Sequence, residues 1–145
     1  MSKAFSLAGA RVGYFAAAPQ VADAMLLVRL PYHLSALTQA AAIAAFHNAA
    51  ALLKDVNRIK EQRDRIVTEL AGMGLSPVPS DANFVLFGGL QDRRECWTAL
   101  LEHGVLVREL GPEGYLRVTA GTEKETTKFL EALRRYLINS RPLGV

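Results

Sequence analysis

Lys3 and Arg11 are the two residues of this chain most readily put to chemical use. They stand in the opening stretch SKAFSLAGARVGY, with Ser2 beside the lysine and Gly9 and Gly13 around the arginine. A primary amine condenses with an aldehyde to an imine, and it needs to be partly deprotonated to do so, a state favoured by burial and by neighbouring positive charge. A guanidinium nearby suits a phosphate, because its planar fork meets two oxygens at once and keeps its charge. Together they fit an aldehyde that carries a phosphate, and pyridoxal phosphate is such a compound. Ser2 can add a hydroxyl hydrogen bond to the same phosphate. Gly9 allows a sharp turn and a close approach of backbone to ligand. On spacing alone, however, a lysine and an arginine at a loop edge are more often solvated surface groups.

The elements that must position these residues follow from hydrophobic periodicity. Val12–Ala17 reads as a short buried strand. The segment PQVADAMLLVRL has helical spacing from Pro19 and is ended by Pro31. Ser35 can cap a second helix to about His47. A third helix, about Ala49 to Gly72, carries Leu52, Val56, Ile59, Ile66 and Leu70 on one stripe, and Gly72 and Gly74 stop it. The texture then changes. Pro77 and Pro79 forbid helix, and NFVLFG reads as a strand. Asp92–His103 is predicted as a helix with Trp97, Leu100 and Leu101 inward. Val105–Leu110 and Tyr115–Gly121 are predicted strands. In the second, Leu116, Val118 and Ala120 alternate with Arg117 and Thr119, so Arg117 faces away from the core. Thr122 and Glu125 form a capping box for a last helix with Phe129, Leu130, Leu133 and Leu137 inward. The tail from Ser140 is expected to be loose.

A lone apolar strand near the start cannot make a sheet, so it implies partner strands that these residues do not provide. Met1 to about Leu30 therefore reads as a piece of a larger layer, and the region from about Ser76 as a small α+β unit.

Composition bounds the rest. The chain has 145 residues, half of them hydrophobic, a formal net charge of +3 and a pI near 9.2. Basic residues alternate with acids, as in KDVNRIKEQRDR, which describes a solvated helix face and not a nucleic-acid patch. Cys96 is the only cysteine, expected to be buried, so a reducing cytoplasmic setting is the default. His33, His47 and His103 have no metal-ligand spacing, and no metal site is expected. Tyr14 and Tyr32 read as core aromatics, with the lining of a cleft as the alternative. The start does not read as a signal peptide, and no window has the apolar length of a membrane span.

The stretch SKAFSLAGARVGY resembles the cofactor-lysine segment of fold-type I pyridoxal-phosphate-dependent aminotransferases of class I/II. RLPYHLSALTQAAA, DANFVLF and GVLVRELGPEGYLRVTAGT agree with the same family in order and spacing. The PYHLSALTQAAA wording is similar to the histidinol-phosphate branch. The resemblance covers about Met1 to Leu137. It implies an α/β fold: residues 1–48 a remnant of the large cofactor-binding domain, 49–75 a long connecting helix, 76–138 a small C-terminal α+β domain with a three-stranded sheet, and 139–145 a tail. It implies Lys3 as the imine-forming catalytic lysine, with Ser2 and Arg11 on the cofactor phosphate. It implies Arg117 as the arginine for the substrate anion, with Arg108 as a second contact and Asn83 near the cleft.

The implied reaction is transamination of an amino acid or phosphate-bearing amine by a homodimer, and most specifically transfer from histidinol phosphate to 2-oxoglutarate in histidine biosynthesis. An aromatic amino-acid aminotransferase or a phospho-amino-acid decarboxylase of the same fold is an alternative, and a non-catalytic fragment or binding module is another. Members of the family are more than twice this length. The chain is thus expected to be the C-terminal portion of a longer enzyme, with Met1 an internal methionine. The aspartate for the pyridinium nitrogen and the aromatic for the ring would lie upstream. Little or no turnover is expected of these residues alone.

Overall fold

The structure is a computed structural model, and it describes residues 1–109 and 111–140. The chain divides into two compact units, Met1–Val56 and Asn57–Val145.

The first unit opens in turns. Main-chain bonds from Phe5 and Leu7 to the Met1 carbonyl, and from Ser6 to the Lys3 carbonyl, fold residues 1–7 back on themselves. Three helices follow. The first, α1, is Pro19–Val28, with proline in its first turn, where a missing N–H costs nothing. The second, α2, is Ala36–His47, and Ser35 caps it by accepting from the Thr38 N–H. The third, α3, is Ala49–Gly72 and runs on into the second unit. An aromatic cluster ties the opening turns to α2: the Phe46 ring lies 5.3 Å from that of Phe5 and 5.2 Å from that of Tyr14.

Two expectations fail in this unit. Val12–Ala17 is not part of a sheet. Val12 is buried, but Gly13 to Ala18 are exposed and pair with no strand. Tyr14 and Tyr32 are not core residues, being 67% and 102% exposed. The unit has no strand to set beside Val12–Ala17, which carries Tyr14, whereas Tyr32 lies in the turn between α1 and α2.

The second unit is built on a three-stranded antiparallel sheet in the order β1 (Ser76–Pro77), β2 (Phe84–Gly88) and β3 (Leu116–Thr119). In the register of β2 with β3, Val85 faces Val118 and Leu86 faces Arg117. The expected strand Val105–Leu110 is reduced to one bridge, Arg108 with Arg117, and Leu110 lies outside the described residues. The third strand is instead β1, on the opposite edge of the sheet beside β2, where Pro77 can sit because no donor is needed. The predicted tail beyond Ser140 also lies outside the described residues.

Helix α4, Arg93–Glu102, is capped by Asp92, and α5, Glu123–Asn139, opens with the Thr122–Glu125 capping box. That arrangement holds the Glu125 carboxyl below its usual range, through the backbone and then the hydroxyl bond from Thr122. Gly74 and Gly104 adopt φ of 81° and 67° and end α3 and α4. In both, the following amide reaches five residues back: Leu75 to Leu70, and Val105 to Leu100.

One sheet face packs on the helices. Ile66 and Leu70 of α3, Val85 and Phe87, Cys96 and Leu100, Leu116, and Leu130 and Leu133 are all at or near zero exposure. Leu101, expected inward, is 44% exposed, since Leu100 takes the core position of that turn. Burial pushes the Cys96 thiol up to about 12, with Glu95 adding to it, and burial first pushes Tyr136 up to about 12 as well. Both groups are therefore favoured in their neutral forms by folding. Stability is complete below the unfolded thiol's value of about 8.5 and falls as pH rises toward the folded value, by at most about 1.4 kcal/mol per pH unit for each group. The urea midpoint of the chain is expected to be flat from pH 7 to 8 and to drop from pH 9 to 11. A midpoint that stays level to pH 11 contradicts the buried neutral thiol.

Candidate functional site

The six candidate residues fall into two groups, each within one unit. Ser2, Lys3 and Arg11 belong to the first unit. Asn83, Arg108 and Arg117 belong to the second.

Lys3 lies in the opening turn with its side chain exposed, and Ser2 beside it is half-buried. Phe5, two residues after Lys3, and Tyr14, three residues after Arg11, both seat their rings on Phe46. Arg11 ends the turn in the left-handed region at φ 49°, with Ser6 at φ 53°. Side chains rarely adopt this conformation, and each such residue costs about 1–2 kcal/mol. Arg11 Nη1 donates to the Ala8 carbonyl at 3.1 Å, which folds the guanidinium back over its own turn. Gly9 does not make the sharp turn expected of it. Its φ is not positive, and a Cβ there would meet nothing within 4 Å. Ser6 and Arg11 make the unusual turns instead, and no sequence rule flags a serine or an arginine for that.

The second group is tighter. Arg108 and Arg117 are directly opposite and exchange both main-chain hydrogen bonds, each 2.9 Å. Residues facing each other this way across an antiparallel pair project on the same side of the sheet. Leu116 and Val118 point into the core, so the arginines share the outer face. Two like charges in this position repel and weaken the pairing.

Carboxylates do not relieve them. Glu109, next along the chain, pairs with Arg93 at 3.6 Å and with Arg94, turning toward α4. No ion pair to Arg108 or Arg117 occurs among the described residues. The Arg117 guanidinium lies over the Phe84 ring, with Cζ 4.7 Å from its centre, and its buried Nε has no hydrogen-bond partner. Stacking on a ring holds the fork flat and leaves its edges for a ligand. Buried polar atoms without partners are uncommon, and an anion here would supply one. The Trp97 indole donates to the Val107 carbonyl at 3.0 Å, which anchors the segment carrying Arg108 to α4. Gly88 admits the Tyr115 ring at the head of β3: a Cβ would stand 2.9 Å from it.

Asn83 lies just before β2, its carbonyl accepting from Ala120 N–H at 2.9 Å. The register pairs it with buried Ala120, one step out of phase with Phe84 and Leu86, so it is not on the face of the two arginines. A hollow of about 340 Å³ elsewhere in this unit is lined by Thr119, Thr126 and Lys128 and contains none of the six.

Pyridoxal phosphate fits the first group by its donor set: one primary amine, one hydroxyl and one guanidinium on a short turn. Among the described residues no set of His, Cys, Asp and Glu side chains could hold a metal ion. No single helix there is long and apolar enough to cross a membrane. The α2–α3 pair reaches that length only with a bend of 77°.

Residues 1–133 match the family of aminotransferases of class I and II. The histidinol-phosphate aminotransferase of Paenarthrobacter aurescens is 63% identical over 142 residues, 98% of this chain and 38% of that enzyme. That of Frankia casuarinae is 59% identical over 140 residues, 97% of this chain and 35% of the other. Among solved structures, a putative aminotransferase from Burkholderia pseudomallei superposes with a TM-score of 0.84 at 29% identity, over 94% of this chain and 43% of that one. The histidinol-phosphate aminotransferase of Sinorhizobium meliloti, in complex with pyridoxal-5'-phosphate, does so with a TM-score of 0.79 at 32% identity, over 95% and 39%. The chain thus spans a little over a third of the length of the curated relatives it matches, and its fold is the corresponding portion of the fold-type I architecture. It belongs to the aminotransferases of class I and II.

Proposed function

We propose that this chain carries the lysine and the anion-binding arginines of a pyridoxal-phosphate-dependent aminotransferase acting on histidinol phosphate. The observation that carries the reading is the Arg108–Arg117 pair: two guanidinium groups on one sheet face, without carboxylate partners among the described residues, with Arg117 Nε buried and unsatisfied there. A phosphate dianion suits such a pair, because charge-assisted and bidentate bonds to it are strong. The 2-oxoglutarate carboxylate would use the same groups in the second half-reaction. The 63% identity to a histidinol-phosphate aminotransferase supports the choice among phosphate-bearing amines.

The bound cofactor supplies an aldehyde for the amine and an electron-withdrawing ring. Lys3 would hold the cofactor through its amine, and the same amine would carry the proton to and from the substrate carbon. Arg11 and Ser2 hold the cofactor phosphate. Arg117, with Arg108, holds the substrate anion, so that the carbon losing its proton is fixed in place. Asn83 is a weaker member of this set, given its register. In this reading residues 1–48 belong to a large cofactor domain and 76–138 to a small one, and the intact enzyme is a cytoplasmic homodimer. A lone buried cysteine is in keeping with that compartment.

Equilibrium dialysis of histidinol phosphate against the full chain tests the arginines. Losing a charge-assisted hydrogen bond costs about 1.5–3 kcal/mol, so Arg117→Ala is expected to weaken binding by about tenfold to a hundredfold. Arg117→Lys should restore little, since the flat fork is lost. Equal binding by wild type and Arg117→Ala would sink the reading.

A further inference from the structure

The Arg108–Arg117 bridge sets which residues stand opposite each other beyond it. Two residues further on, Leu106 faces Thr119. In an antiparallel pair every second residue turns its N–H and C=O to the same side, so those of Thr119 point toward Leu106. No main-chain bond joins the two among the described residues. The segments part instead, and the hollow of about 340 Å³ opens between them, against α5. Ile66, Val118 and Phe129, all buried, give it an apolar floor.

Its rim carries both signs of charge. Glu125 and Lys128 lie three apart on α5, a spacing at which opposite charges usually pair. They form no ion pair with each other among the described residues. Lys128 Nζ donates to the Gly104 carbonyl at 3.2 Å. The bonds from Thr122 use Glu125 Oε2 and hold the carboxyl below its usual range, so it stays charged. Thr126 is also in the wall. It is 2% exposed, and its Oγ1 has no hydrogen-bond partner among the described residues, which is uncommon for a buried hydroxyl.

We propose that this hollow binds a free α-amino acid with a branched apolar side chain. A zwitterion brings one charge of each sign to a rim that holds one of each: its ammonium to Glu125 and its carboxylate to Lys128. A simple anion or cation suits the rim less well, because one of the two groups would repel it. The Thr119 main chain and the Thr126 hydroxyl offer the further donors and acceptors such a ligand needs. The branched side chain lies on the apolar floor. Small-molecule pockets hold about 300–1,000 Å³, so this one is at the lower end and suits a single amino acid. Neither Arg108 nor Arg117 lines it, and the proposal is independent of the substrate named above.

The test is a titration of the isotope-labelled full chain with L-leucine, followed through its amide resonances. A dissociation constant of about 1 mM or tighter is expected. The Leu106, Thr119 and Gly121 amides should shift and those of the first unit should not. Isovalerate lacks the ammonium and 3-methylbutylamine lacks the carboxylate, and each is expected to bind about tenfold or more weakly. Glu125→Gln keeps an acceptor for Thr122 but not the charge, and Lys128→Met keeps only the stem. Each should weaken L-leucine by about tenfold and leave histidinol phosphate binding unchanged. Thr126→Val removes a hydroxyl without a partner, so it should melt no lower than wild type and bind L-leucine about twofold to tenfold more weakly. Arg117→Ala should keep L-leucine binding. Absence of shifts up to about 10 mM L-leucine overturns the proposal. So does equal binding of isovalerate or the amine, or undiminished binding by any of the three α5 variants. Binding that vanishes with Arg117→Ala overturns it too, by moving the amino acid to the arginine pair.

Discussion

Incubation with pyridoxal phosphate followed by borohydride is expected to fix the cofactor mainly on Lys3, and Lys3→Ala is expected to abolish that product. The chain offers a built-in comparison, because Lys54, Lys60, Lys124 and Lys128 are exposed amines on helices. A bare amine reacts with any aldehyde, so reaction alone means nothing. What distinguishes Lys3 is its turn, which places a guanidinium and a hydroxyl on the same short segment. Retention of the cofactor phosphate by a charge-assisted bond of about 1.5–3 kcal/mol enriches Lys3 by about tenfold or more over the others. Peptide mapping of the reduced product reads this directly. Arg11→Ala should erase the preference while leaving the lysine in place. If Lys3 carries no more label than Lys54 or Lys124, the opening turn is not a cofactor site on its own.

Phe87→Ala is expected to be the most damaging single change in the second unit. Phe87 is fully buried, and its ring meets that of Phe129 at 6.0 Å and 62°. Truncating a buried phenylalanine costs about 3–5 kcal/mol, against the 5–15 kcal/mol that holds a typical domain together. In a domain of this size each kcal/mol lowers the midpoint by about 4–8 °C, so a drop of more than about 12 °C is expected. The fluorescence of Trp97 reports it, as the only tryptophan, partly buried and bonded to the Val107 carbonyl. Leu101→Ala, at an exposed position on the same core-facing helix, should change stability by no more than about 0.5 kcal/mol. A Phe87→Ala loss below about 1 kcal/mol would mean that the core is not packed as described.

The sequence was most legible where local chemistry decides the outcome. Ser35 and Thr122 cap their helices as their positions predict, and the stripe on α3 buries Ile66 and Leu70. Alternation in LRVT placed Arg117 outward correctly. What local patterns could not provide was pairing. Val12–Ala17 has a strand's composition, yet a strand exists only with a neighbour, and the first unit has none to give. Ser76–Pro77 forms β1 despite its turn-like wording, because β2 offered it an edge. The facing of Arg108 with Arg117 is also a matter of register, beyond what either segment shows alone. The left-handed turns at Ser6 and Arg11 were hidden behind a more conspicuous glycine.

The Arg108–Arg117 pairing ties recognition to folding. Among the described residues these two hold the only bridge between their segments through the main chain, while their like charges repel. An anion settled between them would cancel the repulsion, so that occupancy and strand closure would be two descriptions of one equilibrium. Thermodynamic linkage then runs both ways. Whatever loosens the bridge weakens the hold on the anion, and whatever binds the anion tightens the edge of the sheet. On the proposed function the ligand would be a missing structural piece as well as a substrate, and the melting curve would become an instrument for counting filled sites.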